Sequence, residues 1–160
     1  MSKKSKIIYF ILTSLFFIFL DLYLTDIVLK YLYDLPTNPV IDFVFVQNYG
    51  AAFSLLQGSK LFLILFSALA ILGIIFYTIK HIINASMFSI FFASLLISGI
   101  FTNMYERIIF GFVRDYIKLN FIDFPVFNIA DAFINISVLA LVIIIIKHNY
   151  SNKTNETDNR

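Results

Sequence analysis

Residues 61–79 read LFLILFSALAILGIIFYTI, nineteen consecutive positions without a charged side chain. About 20 apolar residues in a helix cross the ~30 Å of hydrocarbon in a bilayer. Three further runs of similar length and character occupy residues 7–24, 87–105 and 128–146. Because a helix satisfies its own backbone hydrogen bonds in lipid, the sequence predicts four transmembrane helices.

The composition agrees with a membrane-embedded chain. Of the 160 residues, 60% are hydrophobic, which exceeds the usual share in a soluble domain. The four runs leave no room for a second domain, so we expect one domain over residues 1–150. The polar segment 151–160, SNKTNETDNR, is expected to be a disordered tail. The absence of cysteine excludes disulfides, thiolate metal sites and a cysteine nucleophile.

Basic residues next to the apolar runs predict the orientation. The first run follows a basic segment, as in a secretory signal peptide, but it is too long and no small-residue cleavage site follows it. We therefore expect a retained helix. Short basic flanks favour the cytoplasm, which places both termini there and directs the connections of about 25–60 and 106–127 outward. The flanking residues are Lys3, Lys4, Lys6, Lys80, Lys147, Lys153 and Arg160.

The first outer connection contains a strand-like segment. In VIDFVFVQN (40–48), β-branched and aromatic residues alternate with others, and YGAAFSLLQG (49–58) follows with a turn-forming Gly50. The expected fold is therefore an all-α membrane protein, with four transmembrane helices and a small extracytoplasmic β-containing loop region. The apolar YGAAFSLL segment is a candidate for resting on the lipid surface, and the alternative is a loop that merely caps the helices.

Polar residues cluster at the outer ends of the predicted helices. A carboxylate at membrane depth loses hydration, so an acidic residue there is a candidate for function. Two carboxylates in one dehydrated pocket share a proton, the arrangement that activates water in aspartic proteases. Asp115 and Asp131 are the candidates for such a dyad. The whole cluster comprises Asp21, Asn48, Asn103, Arg107, Asp115, Asn128 and Asp131.

The same residues also have structural interpretations. Asp131 could stabilise a helix N-terminus through the helix dipole, and Asp115 could be a solvated loop acid. Asp21 and Arg107 could form an ion pair between helices. The asparagines of the cluster could serve only to hydrogen-bond helices together.

Other classes of protein also use intramembrane carboxylates. A proton-coupled transporter or channel subunit would use the acids as a proton relay. Its site would be expected near the midplane, on helices broken by Gly or Pro, whereas the three prolines here lie in loops. A purely structural membrane scaffold would have no use for the clustered Asn and Asp residues.

Four segments, in order, resemble the motifs of lipoprotein signal peptidase, also called signal peptidase II. They are NYGAAFS (48–54), TNMYER (102–107), GFVRDYI (111–117) and FNIADAFINI (127–136). The resemblance implies a bacterial inner-membrane aspartic endopeptidase. Such an enzyme removes signal peptides from prolipoproteins by cutting just before a diacylglyceryl-modified cysteine. It implies an active site near the outer face, lipid-modified prolipoproteins and membrane lipids as partners, and no metal or other cofactor.

The resemblance also implies roles for individual residues. Asp115 and Asp131 match the catalytic dyad. The residues that match positions shaping the site or holding substrate are Asp21, Asn48, Gly50, Ala51, Asn103, Arg107, Asn128 and Ala130. Departures from the family pattern occur at Thr25, Ser98, Thr102, Glu106 and Ser137. Nucleic acid is not expected as a partner, because the small net charge of +2 is scattered, and we expect a monomer.

Overall fold

The computed structural model describes residues 1–36, 38–51 and 56–158. In this part of the chain, four helices are long and apolar enough to cross a membrane, and two strands pair as a small antiparallel sheet. The predicted fold class is therefore confirmed. The helices are α1 (Lys3–Lys30), α2 (Lys60–His81), α3 (Met87–Ile109) and α4 (Ile129–Asp158), and the strands are β1 (Ile41–Asn48) and β2 (Val113–Leu119).

Helix α3 is the centre of the bundle, and it packs against each of the other three helices. Half of its span (50%) is buried inside the protein, against 17% for α1 and 11% each for α2 and α4. The outer faces of those three helices carry large exposed side chains such as Phe19, Leu69 and Leu139. Such surfaces are suited to contact with lipid. The inner faces of these helices pack on α3, and their outer faces pack against hydrocarbon.

Small hydroxyl residues bring α1 and α3 together. The Ser98 hydroxyl lies 2.7 Å from the carbonyl oxygen of Ser94 in its own helix and 3.0 Å from that of Ser14 in α1. The Ser94 hydroxyl likewise lies 3.2 Å from the Phe10 carbonyl oxygen. Small residues allow helices in lipid to approach closely, and hydroxyls can then bond across the interface. Ser98 therefore keeps the interface close despite departing from a glycine position.

The contact between α3 and α4 depends on Gly99. A Cβ added there would lie 2.5 Å from the carbonyl oxygen of Ala130 and 2.9 Å from Cγ1 of Ile134. No methyl group fits at these distances, so α4 would have to move away. This contact fixes the height and distance of the first turn of α4 relative to α3.

The sheet joins the α1–α2 connection to the α3–α4 connection. β1 and β2 are antiparallel, with Asn48 opposite Val113 and Ile41 opposite Leu119, and the register shifts between Phe43 and Val46. The strand predicted in VIDFVFVQN is confirmed, whereas β2 was not predicted. At the opposite end of the bundle, the Lys6 ammonium group donates to carbonyl oxygens of the α2–α3 turn.

Two predicted boundaries need correction. α1 continues to Lys30, so Thr25 and Asp26 belong to the helix and not to the loop predicted from about residue 25. α4 continues to Asp158, so the backbone of residues 151–158 is helical where a disordered tail was predicted. Extending an existing helix adds one hydrogen bond per residue without a new nucleation step, and no Gly or Pro interrupts this segment. Residues 52–55 of the YGAAFSLL segment lie outside the described residues.

Replacement of Gly99 by alanine should weaken the bundle, because overpacking of a close contact costs about 1–3 kcal/mol. Thermal unfolding of the purified protein in detergent measures this change. Gly73 on α2 provides the matched control, since a Cβ there would meet nothing within 4 Å. Equal melting temperatures for Gly99→Ala and Gly73→Ala would show that α3 and α4 do not depend on this contact.

Candidate active site

Asp131 is held by a reciprocal cap at the start of α4. The Asn128 side-chain oxygen accepts from the Asp131 main-chain N–H at 2.8 Å, and Asp131 Oδ2 accepts from the Asn128 N–H at 3.3 Å. This is a capping box written as N-x-x-D, which satisfies two otherwise unpaired N–H groups. Asp131 Oδ1 then accepts from the Asn103 amide of α3 at 2.8 Å, while the Asn128 amide donates to Asn103 Oδ1 at 3.0 Å.

Asp115 is held by the sheet. It lies on β2 with only 1% of its surface exposed, and its Oδ2 accepts from the Asn48 amide of β1 at 2.9 Å. The Asn48 side-chain oxygen accepts from the Gly50 N–H at 2.9 Å, and the Gly50 carbonyl oxygen accepts from Arg107 Nη2 at 2.7 Å. Arg107 therefore fixes the turn that aims Asn48 at Asp115.

Both carboxylates line one cavity of about 660 Å³. Its polar lining includes side chains of β1, β2, α3 and α4, and its apolar lining includes side chains of α2, α3, α4 and the segment 124–127 before α4. The apolar wall includes Leu63, Phe66, Ala70, Ile100 and Ile134. A cavity of this kind presents a pair of acids beside a surface on which an apolar chain can lie.

The environment of Asp115 favours its protonated form. Burial raises the pKa of Asp115 to about 7, and the negative charge of Asp131 acts in the same direction. The Asn48 hydrogen bond and the positive charge of Arg107 oppose this shift without cancelling it. Asp115 Oδ1 is buried and has no hydrogen-bond partner in the described part of the chain, so it is free to carry a proton.

The structure brings most of the candidate site residues together. Asp115, Asp131, Asn48, Ala51, Asn103 and Arg107 line the cavity, while Gly50 and Asn128 lie behind it and bond to members of this group. Ala130 is buried against α3 beside Gly99. Asp21 is buried on α1 but does not line the cavity, and its Oδ1 has no hydrogen-bond partner in the described residues.

Two of the structural alternatives are wrong. Asp115 is not a solvated loop acid, because it is buried. Arg107 is not paired with Asp21, since its guanidinium donates to the carbonyl oxygens of Asn103 and Gly50. The alternatives for Asp131 and for the asparagines describe real contacts: Asp131 caps α4, and Asn103 bonds to Asn128 across helices. These contacts leave both carboxylates facing the cavity.

Several residues near the site were missed by the sequence interpretation. Arg114 forms ion pairs with Glu106 and with Asp26. Asn135 and Ser67 also line the cavity. Asn135 is four residues after Asp131 and so shares its helix face, which was a usable signal. The Arg114–Asp26 contact joins residues far apart in sequence, and the Arg114–Glu106 contact joins a helix to a strand, so no helical or strand periodicity reports either one.

The departures from the family pattern at Thr25 and Thr102 also have contacts. Thr25 Oγ1 lies 3.1 Å from the Tyr116 hydroxyl, which joins α1 to β2. The Thr102 hydroxyl donates within α3 to the Ser98 carbonyl oxygen at 3.1 Å. Ser137 is fully buried, and its hydroxyl has no partner in the described residues. Within those residues, no three His, Cys, Asp or Glu side chains come together as a metal-ligand set.

Comparison with known proteins identifies a family. The family model described as signal peptidase (SPase) II matches residues 13–147. A lipoprotein signal peptidase of Streptococcus thermophilus (strain CNRZ 1066) is 38% identical over 108 residues, covering 68% of this chain and 70% of the relative. One from Caldicellulosiruptor bescii is 38% identical over 121 residues, covering 74% and 77%.

A solved structure shares the fold. It is a bacterial membrane enzyme determined by the in meso method at 2.3 Å, with a TM-score of 0.79 and 28% identity, and 90% of each chain is covered. The four-helix fold and the family match define a multi-pass membrane peptidase of the aspartic class. Together with the sequence matches, they show that the chain belongs to the signal peptidase II family.

Replacement of Asp115 by asparagine should stabilise the protein above neutral pH. Since the pKa of Asp115 rises from 3.8 unfolded to about 7 folded, wild-type stability falls as pH rises between these values. The amide cannot ionise, so the stability difference should grow from pH 4 to about pH 7 and then level off, at up to about 4 kcal/mol. Thermal unfolding at pH 5 and pH 8 measures it, and a difference independent of pH would contradict the assigned burial.

Proposed function

We propose that this chain removes signal peptides from lipid-modified prolipoproteins, cutting just before the diacylglyceryl cysteine with water activated by Asp115 and Asp131. The observation that carries the proposal is that two carboxylates line one cavity and differ in the number of hydrogen bonds they accept. Family membership supports the class of reaction, and the relatives' name, lipoprotein signal peptidase, supports the class of substrate.

Hydrogen bonding suggests different roles for the two acids. Asp131 accepts from two donors, the Asn103 amide and the Asn128 N–H, and such donors stabilise a carboxylate. Asp115 accepts from one amide, and its other oxygen has no partner in the described residues. With its pKa near 7, Asp115 is suited to hold the shared proton. Asp131 is then the general base and Asp115 the general acid.

The reaction follows from these roles. Asp131 takes a proton from a water molecule as the water oxygen attacks the scissile carbonyl carbon, and Asp115 gives its proton to the carbonyl oxygen. The resulting gem-diol collapses when Asp115 takes a proton back from one hydroxyl and Asp131 delivers its proton to the leaving nitrogen. The C–N bond breaks, and both acids return to their starting states.

The cavity also fits a substrate held in lipid. Its apolar wall on α2 and α4 offers contact to a hydrophobic signal segment, and the carboxylates lie where the helices meet the sheet. A diacylglyceryl group adds about 0.8 kcal/mol per buried CH₂ to membrane anchoring, which would hold the scissile bond at this depth. Arg107 Nε is buried without a partner in the described residues, so it can donate to a substrate carbonyl oxygen.

Asp115→Asn and Asp131→Asn should each abolish cleavage of a lipidated prolipoprotein by purified protein, because an amide cannot exchange the proton. The double variant should be no worse than either single one, since residues acting as a unit are non-additive. Gel-shift detection of the released signal peptide measures this.

The same assay contains its own controls. A precursor whose lipid-accepting cysteine is replaced by serine should remain uncut, and thermal unfolding should confirm that each variant is folded. Substantial turnover by either single variant would remove the dyad from the mechanism. Equal cleavage of the serine precursor would make the chain a general membrane peptidase.

The orientation is a further part of the proposal. With basic flanks in the cytoplasm, reporter fusions after Lys4, near Lys80 and after Lys147 should report cytoplasm. Fusions near Asp42 and Asp123 should report the outside. A cytoplasmic signal near Asp123 would place the dyad on the wrong side for substrates that have been exported.

A further inference from the structure

Glu106 makes an unusually complete contact with Arg114. Glu106 lies in the last turn of α3 and is 4% exposed. Its Oε2 accepts from the main-chain N–H of Arg114 at 2.7 Å, and its Oε1 lies 2.8 Å from Arg114 Nε and 2.7 Å from Nη2. One carboxylate therefore holds both the backbone and the side chain of the residue that precedes Asp115.

The second acid on Arg114 is different in kind. Asp26, near the end of α1, lies 3.0 Å from Arg114 Nη1, but its side chain is 70% exposed against 5% for Glu106. Exposed ion pairs contribute about 0–1 kcal/mol, whereas breaking a buried one is strongly destabilising. Arg114 also stacks over the Phe110 ring at 4.4 Å. Burial opposes its charge, yet Glu106 and Asp26 together raise the pKa of Arg114.

The alternating side-chain directions of β2 link the Glu106–Arg114 contact to Asp115. Successive side chains of a strand point to opposite faces. Arg114 and Tyr116 both reach the helices, since Arg114 bonds to Glu106 and Asp26 and the Tyr116 hydroxyl lies 3.1 Å from Thr25 Oγ1. Asp115 lies between them and points to Asn48 and the cavity.

We infer that Glu106 is a positioning residue for Asp115, acting through the main chain and guanidinium of Arg114 to fix the rotation of β2 at the dyad. The inference rests on the proposed function. Because a misplacement of 1 Å at a reacting group can cost about 100-fold in rate, loss of this contact should lower kcat. KM should hardly change, since Glu106 does not line the cavity.

The test compares Glu106→Gln with Asp26→Asn in the purified full chain acting on a lipidated prolipoprotein. Glutamine keeps the shape but has one acceptor oxygen, which cannot serve both the N–H and the guanidinium. We expect kcat to fall about tenfold or more, with KM within about twofold of wild type. Asp26→Asn removes the other charge from Arg114 and should stay within about threefold, as for an exposed pair.

A conservative variant separates positioning from stability. Glu106→Asp keeps both oxygens on a shorter side chain, so its kcat should lie between those of wild type and Glu106→Gln. If Glu106→Gln does not accumulate, Glu106→Asp decides alone: lowered kcat with unchanged KM supports the inference, and wild-type kcat overturns it.

Three other outcomes would overturn the inference. Glu106→Gln could lower the melting temperature while its folded fraction keeps wild-type kcat, which would make the contact merely structural. Asp26→Asn could lose as much kcat as Glu106→Gln, which would make the charge on Arg114 the cause. A wild-type chain that fails to cut the precursor would refute the proposed function, and with it this inference.

Discussion

The hydrogen bond from the Asn103 amide to Asp131, at 2.8 Å, joins α3 to α4 at the level of the cavity, and the rest of the site is arranged around it. It can form only where the two helices approach closely, and Gly99 provides that approach by leaving no side chain between α3 and Ala130. The same amide network reaches Asn128, which caps α4 and fixes its first turn. The placement of the Asp131 carboxylate therefore depends on the packing of α3 against α4.

The second carboxylate, Asp115, is positioned by the sheet and not by a helix. Asp115 comes from a strand, and two sets of contacts hold that strand from opposite sides. Asn48 and the Arg107-bound turn hold its cavity face, and Glu106 holds its helix face through Arg114. This difference in origin explains the difference in environment, because Asp131 receives two donors at a helix start while Asp115 receives one within a sheet.

The bundle also divides its surfaces between lipid and polar contacts. α3 collects the hydroxyls, amides and charges on buried positions, while α1, α2 and α4 present large apolar side chains outward. Polar groups at membrane depth need protein partners. Concentrating them on α3, the most buried of the four described helices, gives most of them protein partners and leaves the cavity open beside α2 and α4.

The sequence by itself determined the helices and the first strand, and it pointed to the two acids that line the cavity. Apolar runs near 20 residues allow few alternatives, because a helix is the local way to bond a backbone in lipid. The sequence could also show that Asn128 and Asp131 are a capping pair, since that contact spans three residues. It could not predict β2, whose pairing with β1 depends on a partner about 70 residues away.

Only the tertiary structure decided which polar groups meet. The sequence allows Asp21 as a partner of Arg107, yet Arg107 donates to carbonyl oxygens. Arg114 instead pairs with the acids Glu106 and Asp26. Both arginines lie near acidic residues in the sequence. The direction and burial of each side chain decide which arginine forms an ion pair. Periodicity reports which face a residue lies on, whereas a contact between α1, α3 and β2 depends on how those faces are rotated against each other.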